Sequence, residues 1–137
     1  MHRYILLFLF LLIASPAHSN CTLNTFADST LKQRLEEFQA GDSIHLQIQC
    51  TEISAGTHLI TVDWIKNNSG IIRTDSDHFQ ILKTLPREFY FWFKLDKPGV
   101  LNRISSLSEY NTEMLGDWRV IVRIDDRQIG VLSFLYY

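Results

Sequence analysis

Three histidines lie beyond residue 20: His45, His58 and His78. His58 stands five residues before Asp63, and His78 closes the run Asp75-Ser76-Asp77. Imidazole and carboxylate together can bind zinc or copper. The spacing follows no compact site, such as two histidines one helical turn apart. The plainer reading is solvent-facing strand and turn residues. The sequence therefore predicts no metal and no cofactor, with a metal carrier using His58, Asp63 and His78 as an alternative function.

Nucleophilic catalysis needs a nucleophile, a base within reach and an orienting group. The serines sit in turn contexts such as Ser54-Ala55-Gly56 and Ser105-Ser106, and no glycine-flanked nucleophile elbow occurs. Glu36-Glu37 and Asp125-Asp126 are paired carboxylates, but adjacent strand residues point to opposite faces. Six glycines spread along the chain build no phosphate loop. The expectation is a protein that is not an enzyme, with no catalytic residue.

The two cysteines, Cys21 and Cys50, carry the remaining covalent chemistry. Ahead of them Arg3 supplies a positive start, and Tyr4 to Ala14 is a leucine-rich apolar run. Ser15-Pro16-Ala17-His18-Ser19 follows, with small residues at 17 and 19. That is the order of a secretory signal, and it predicts a signal peptide over 1–19 and a single domain over 20–137. The run is too short for a lasting membrane span, and nothing later is long and apolar enough to cross a bilayer. An exported protein with two cysteines most simply makes one disulfide, Cys21–Cys50. The rival is lipidation of Cys21. The usual bacterial lipoprotein signal has a small residue just before the cysteine and commonly leucine three before, where this chain has Asn20 and His18.

Loss of Arg3 with the signal leaves 12 basic against 15 acidic residues. A faintly acidic, evenly mixed surface argues against nucleic acid as a partner. Asn20-Cys21-Thr22 and Asn67-Asn68-Ser69 fit the glycosylation acceptor pattern, which is short and common by chance.

Aromatic residues give the strongest lead. Phe89-Tyr90-Phe91-Trp92-Phe93 is apolar on both faces of a strand. Phenylalanine has no polar atom and belongs inside, which sends Tyr90 and Trp92 outward. An exposed aromatic patch marks a protein or glycan contact. Ile65 and Ile121, on outward positions of neighbouring strands, are candidates to extend it, as are Tyr136 and Tyr137. The bland alternative is that 29–38 or the 101–115 loop covers these rings.

The elements that position these residues have a period of two. Ser43 to Thr51 places Ile44, Leu46, Ile48 and Cys50 on one face and His45, Gln47 and Gln49 on the other. His58 to Lys66 places Ile60, Val62 and Trp64 together. Ile71–Thr74 and His78–Lys83 read as two shorter strands around Asp75-Ser76-Asp77. Pro86 breaks the chain before Glu88–Leu95, and Leu101–Leu115 reads as a long loop. Asp117 to Ile124 sets Trp118, Val120, Val122 and Ile124 inward and Arg119 and Arg123 outward. A hairpin at Asp125-Asp126-Arg127 leads to Gln128–Tyr137, with Gly130 as a bulge or close-packing point. Over 29–38, Leu31, Leu35 and Phe38 have helical spacing. They predict a short amphipathic helix capped by Asp28 or Ser29, with an irregular first strand as the alternative.

About seven short strands with turn residues between them predict an all-β fold, an antiparallel β-sandwich. The segment Gly116-Asp117-Trp118-Arg119-Val120-Ile121-Val122-Arg123, with Ile129-Gly130 and Phe134, resembles the last hairpin of bacterial exported immunoglobulin-like modules. The resemblance is at superfamily level and implies architecture, not function. The immunoglobulin pair of cysteines across two sheets, with tryptophan between, is missing.

The expected function is that of an exported, periplasmic or secreted binding module. It would contact another protein through Tyr90 and Trp92 and through loops 67–77 and 96–116. A small exported hydrolase inhibitor is the other alternative.

Overall fold

The computed structural model describes residues 20–95 and 114–137. The expected signal peptide and most of the expected loop 96–116 lie outside these residues. Eight strands are formed among them: β1 Cys21–Phe26, β2 Glu37–Phe38, β3 Ser43–Ile53, β4 Gly56–Lys66, β5 Gly70–Ile81, β6 Leu85–Lys94, β7 Gly116–Ile124 and β8 Arg127–Tyr136. They make a three-stranded sheet, β1-β3-β6, and a five-stranded sheet, β2-β8-β7-β4-β5. All pairings are antiparallel except the short β2–β8 pair. The order is that of an immunoglobulin-like sandwich: β1-β3-β6 stands for strands A, B and E, and β8-β7-β4-β5 for G, F, C and C′.

Alternation makes the core. Ile44, Leu46, Ile48 and Cys50 of β3 are buried, as are Ile60, Val62 and Trp64 of β4 and Trp118, Val120, Val122 and Ile124 of β7. At one end the rings of Trp64, Phe93, Trp118, Phe134 and Tyr136 meet; Trp64 stacks on Phe93 at 5.1 Å and Trp118 on Phe134 at 6.0 Å. Each such pair contributes roughly 0.5–1.5 kcal/mol beyond its buried area. Their polar tips are satisfied: Trp118 Nε1 donates to Met114 O at 2.7 Å, and Tyr136 Oη to Asp42 O at 3.2 Å. Gly130 sits beside a bulge in β8, at the seam with β1. A Cβ there would fall 2.4 Å from Leu23 Cδ1, so glycine lets the two sheets close.

Cys21 and Cys50 are bonded and directly opposite in the β1–β3 register, with Cα atoms 4.0 Å apart. The bond occupies the Cys21 sulfur, which a lipid thioether would need. A disulfide also suits an oxidising compartment. Among the described residues no helix is long and apolar enough to cross a membrane.

Several expectations are corrected. Segment 29–38 is not a helix. Asp28 Oδ1 accepts the Thr30 backbone N–H at 2.9 Å, and Leu31 takes a positive φ of 54°, which turns the chain back. Phe26 then bridges Arg34, and Glu37–Phe38 crosses to pair with β8. Phe38 is thus a strand anchor in the core. Ile71–Thr74 and His78–Lys83 are not two strands. The chain runs unbroken as β5, so loop 67–77 is confined to the short turn before Gly70, and the binding-module reading loses one of its two loops. Pro86 lies inside β6 instead of ending the preceding segment. Edge strands tolerate proline.

Candidate functional site

β6 pairs with β3 from Ser43↔Lys94 to Ile53↔Leu85 and, among the described residues, with nothing on its other side. Its Phe89 and Phe93 are buried in the sandwich, and Phe91 is half-buried. Tyr90 and Trp92 point to the outer face, where they are 44% and 50% exposed. The expected division of this strand therefore holds residue by residue.

Both outward rings are held by neighbours. Tyr90 stacks on His45 of β3, with centroids 5.6 Å apart, and its hydroxyl is hydrogen-bonded to His45 Nδ1. Burial lowers the His45 pKa against an opposing pull from Asp28. Burial, with Asp28 adding to it, raises that of Tyr90.

Trp92 is held from the other sheet. The Arg73 guanidinium of β5 lies 5.9 Å from the Trp92 ring centroid and 5.8 Å from that of Phe93. Arg73 Nη2 donates to the Trp92 carbonyl at 3.5 Å, and Arg73 Nε to Asp75 Oδ1 at 2.9 Å. The second Asp75 oxygen accepts the indole N–H of buried Trp64, also at 2.9 Å. One chain of contacts thus runs from the core to the exposed ring. A groove lined by Arg73, Asp75, Asp77, Tyr90, Phe91 and Trp92 follows the open seam.

Ile65 and Ile121 do not extend this patch. They belong to β4 and β7 of the five-stranded sheet, and Ile65 is buried. Tyr136 is buried in the core and Tyr137 is exposed at the end of the chain.

The three candidate metal ligands are held separately. His58 Nδ1 donates to Asp125 Oδ2 at 2.5 Å and Nε2 to the Ser54 carbonyl at 2.7 Å, so both ring nitrogens are taken. The Asp125 and Ser54 bonds raise the His58 pKa. Asp63 is buried, ion-paired with Arg123, and accepts the Thr74 hydroxyl at 2.7 Å. His78 is exposed on β5. No group of three or more His, Cys, Asp or Glu side chains among the described residues is placed to hold a metal ion.

Two contributors were missed in the sequence. Arg73 gives no signal because it acts across sheets. His45 stands on the wet face of its strand in the sequence pattern, and its place beside Tyr90 follows only once β3 and β6 are paired.

No protein-family model matches the chain, and no curated protein matches it. Among solved structures it is similar to part of a β-glucosidase from Listeria innocua, with a TM-score of 0.54 and 14% identity over 87% of this chain and 16% of that one. It is also similar to part of the alkylpurine DNA glycosylase AlkC from Pseudomonas fluorescens, with a TM-score of 0.51 and 12% identity over 86% of this chain and 30% of that one. At such identities the likeness is one of fold alone.

Proposed function

We propose that the protein is an exported, non-catalytic binding module that holds another envelope or secreted protein against the outer face of β6. The observation that carries this reading is the pair Tyr90 and Trp92, two large rings held half-exposed side by side. Tyrosine and tryptophan give large contact areas, keep a polar tip for water or a partner, and dominate binding hot spots. Ring fixation by His45 and Arg73 supports the reading, because little side-chain freedom remains to be lost on binding. The signal-like segment 1–19 and the Cys21–Cys50 bond support export.

The test is a pull-down from envelope extract with the native protein and with a Tyr90→Ala, Trp92→Ala double variant. The native protein should retain a specific partner. The double variant, still folded by urea melt, should lose it. Retention of the partner by the double variant would refute the reading.

A further inference from the structure

The β6 edge has a defined phase. The Thr51 backbone N–H donates to Asn20 O at 2.9 Å, so the Thr51 amide faces β1. Amides alternate in direction along a strand, so those of Ile44, Leu46, Ile48 and Cys50 face β6. The 4.0 Å Cα separation of Cys21 and Cys50 agrees, because it belongs to a pair that exchanges no main-chain hydrogen bonds. Their β6 partners Phe89, Phe91 and Phe93 therefore bond to β3. Glu88, Tyr90 and Trp92 turn their N–H and C=O groups to the open side. The Arg73 bond to the Trp92 carbonyl confirms this phase independently.

Open edges invite pairing unless they are guarded. The adjacent edge of the other sheet, β5, is guarded: Arg73, Asp75 and Asp77 stand opposite Trp64, Val62 and Ile60 and bring charge to the inward face. β6 has Pro86 at its start, in the same alternate set as Glu88, Tyr90 and Trp92, so its missing N–H falls on the open side. From Phe89 to Trp92 the strand carries no charged residue or proline of its own, its inward residues are Phe89 and Phe91, and the Arg73 guanidinium meets this stretch at the Trp92 carbonyl. In four-stranded versions of this sheet a further strand, D, lies at this edge.

We infer that β6 is the docking edge for an extended strand of the partner protein, which pairs main chain to main chain with Glu88, Tyr90 and Trp92 and sets a basic side chain against Asp77. This rests on the β6 face being the contact surface. Backbone donors and acceptors in a row select an extended polypeptide, because no other common partner repeats amide groups at strand spacing. The Asp75 carboxylate is already taken by Arg73 and Trp64, whereas the side chain of Asp77 is exposed and makes no hydrogen bond or ion pair with another described residue. The half-buried Phe91 adds an apolar side chain to the lining of the same groove. Tyr90 and Trp92, on the adjacent outer face, would grip the alternate side chains of the incoming strand.

A displayed library of random twelve-residue peptides, panned on the purified protein, tests the inference. Enriched peptides should alternate apolar with basic residues. The best of them, made synthetically, should slow hydrogen exchange at the Tyr90 and Trp92 amides at least tenfold. Methylating its alternate backbone nitrogens should abolish binding, and Asp77→Lys, an exposed change, should weaken it at least tenfold.

The inference falls if these amides are already protected in dilute free protein, which would mean that the chain's own residues fill the edge. It falls if protection grows with protein concentration, which would identify a second copy as the occupant. It also falls if no peptide is enriched, or if binding ignores backbone methylation. If the Tyr90, Trp92 double variant loses the envelope partner while the edge amides never become protected, the contact surface stands and strand pairing alone is wrong.

Discussion

Arg73 on β5 donates to the main-chain carbonyl of Trp92 on β6, so a side chain of one sheet is bonded to the edge backbone of the other. The same guanidinium lies against the Trp92 ring and pairs with Asp75, which holds the indole of Trp64 in the core. The exposed aromatic patch is therefore continuous with the interior.

Asp75→Ala should expose that continuity. It leaves the buried Trp64 N–H without its acceptor, and an orphaned buried donor costs about 1–3 kcal/mol. Urea melts should show a loss of this size. Ser76→Ala, on an exposed neighbour, should cost less than about 0.5 kcal/mol. Equal losses would mean that the indole bond does not carry the effect.

The core prediction concerns Trp118, fully buried among Phe93, Phe134 and Tyr136. Trp118→Ala should cost about 3–5 kcal/mol. Arg119→Ala, on the exposed side of β7, should cost less than about 0.5 kcal/mol. A one-residue slip in register would exchange the two faces, so comparable losses would place β7 wrongly.

Reduction should weaken the fold. Cys21 and Cys50 are 29 residues apart, and the chain-entropy model assigns a loop of that size roughly 3–4 kcal/mol. Intact mass before and after alkylation under native conditions should show no free thiol, and the reduced protein should melt at lower urea. The same spectrum reads the N-terminus. Export with cleavage after Ser19, as proposed, would leave Asn20 first, and a mass that retains residues 1–19, or one carrying acyl chains, would contradict that proposal.

His58 gives a pH signature. Its bonds to Asp125 and Ser54 favour the charged ring, so its proton should be lost above the ordinary value of 6.5. The stability it contributes is complete below 6.5 and is lost as pH rises through the higher folded value. Burial works to raise the Asp125 pKa, but the bonds from His58 and the Leu59 N–H outweigh it and lower the value. The Asp125 share is present above 3.8 and is lost as pH falls through the lower folded value. The pair is therefore most stabilising between those two ordinary values. An NMR titration should show His58 titrating above 6.5 in the native protein and lower in Asp125→Asn. An unmoved value would remove Asp125 as the cause.

Much of this was legible in the sequence, because burial on a sheet imposes a period of two. Trp118, Val120, Val122 and Ile124 announce their face, and Phe89, Tyr90, Phe91, Trp92 and Phe93 divide as side-chain polarity requires. What failed did so where tertiary context decides. Leu31, Leu35 and Phe38 have helical spacing, yet Phe38 is drawn into the core by pairing with β8. Asp75-Ser76-Asp77 looks like a turn because edge strands carry inward charge, a need that arises only once the neighbouring sheet is in place. Arg73 could not be found at all, since its target is a carbonyl on another sheet.

The central claim is that the β6 face meets another protein. The most direct test places a photo-reactive phenylalanine analogue at position 92 in the producing cell, and at position 119 on the opposite sheet as the control. Irradiation should join the protein to one specific partner from position 92 and to none from 119. No adduct at 92, or the same adducts from both positions, would contradict the claim.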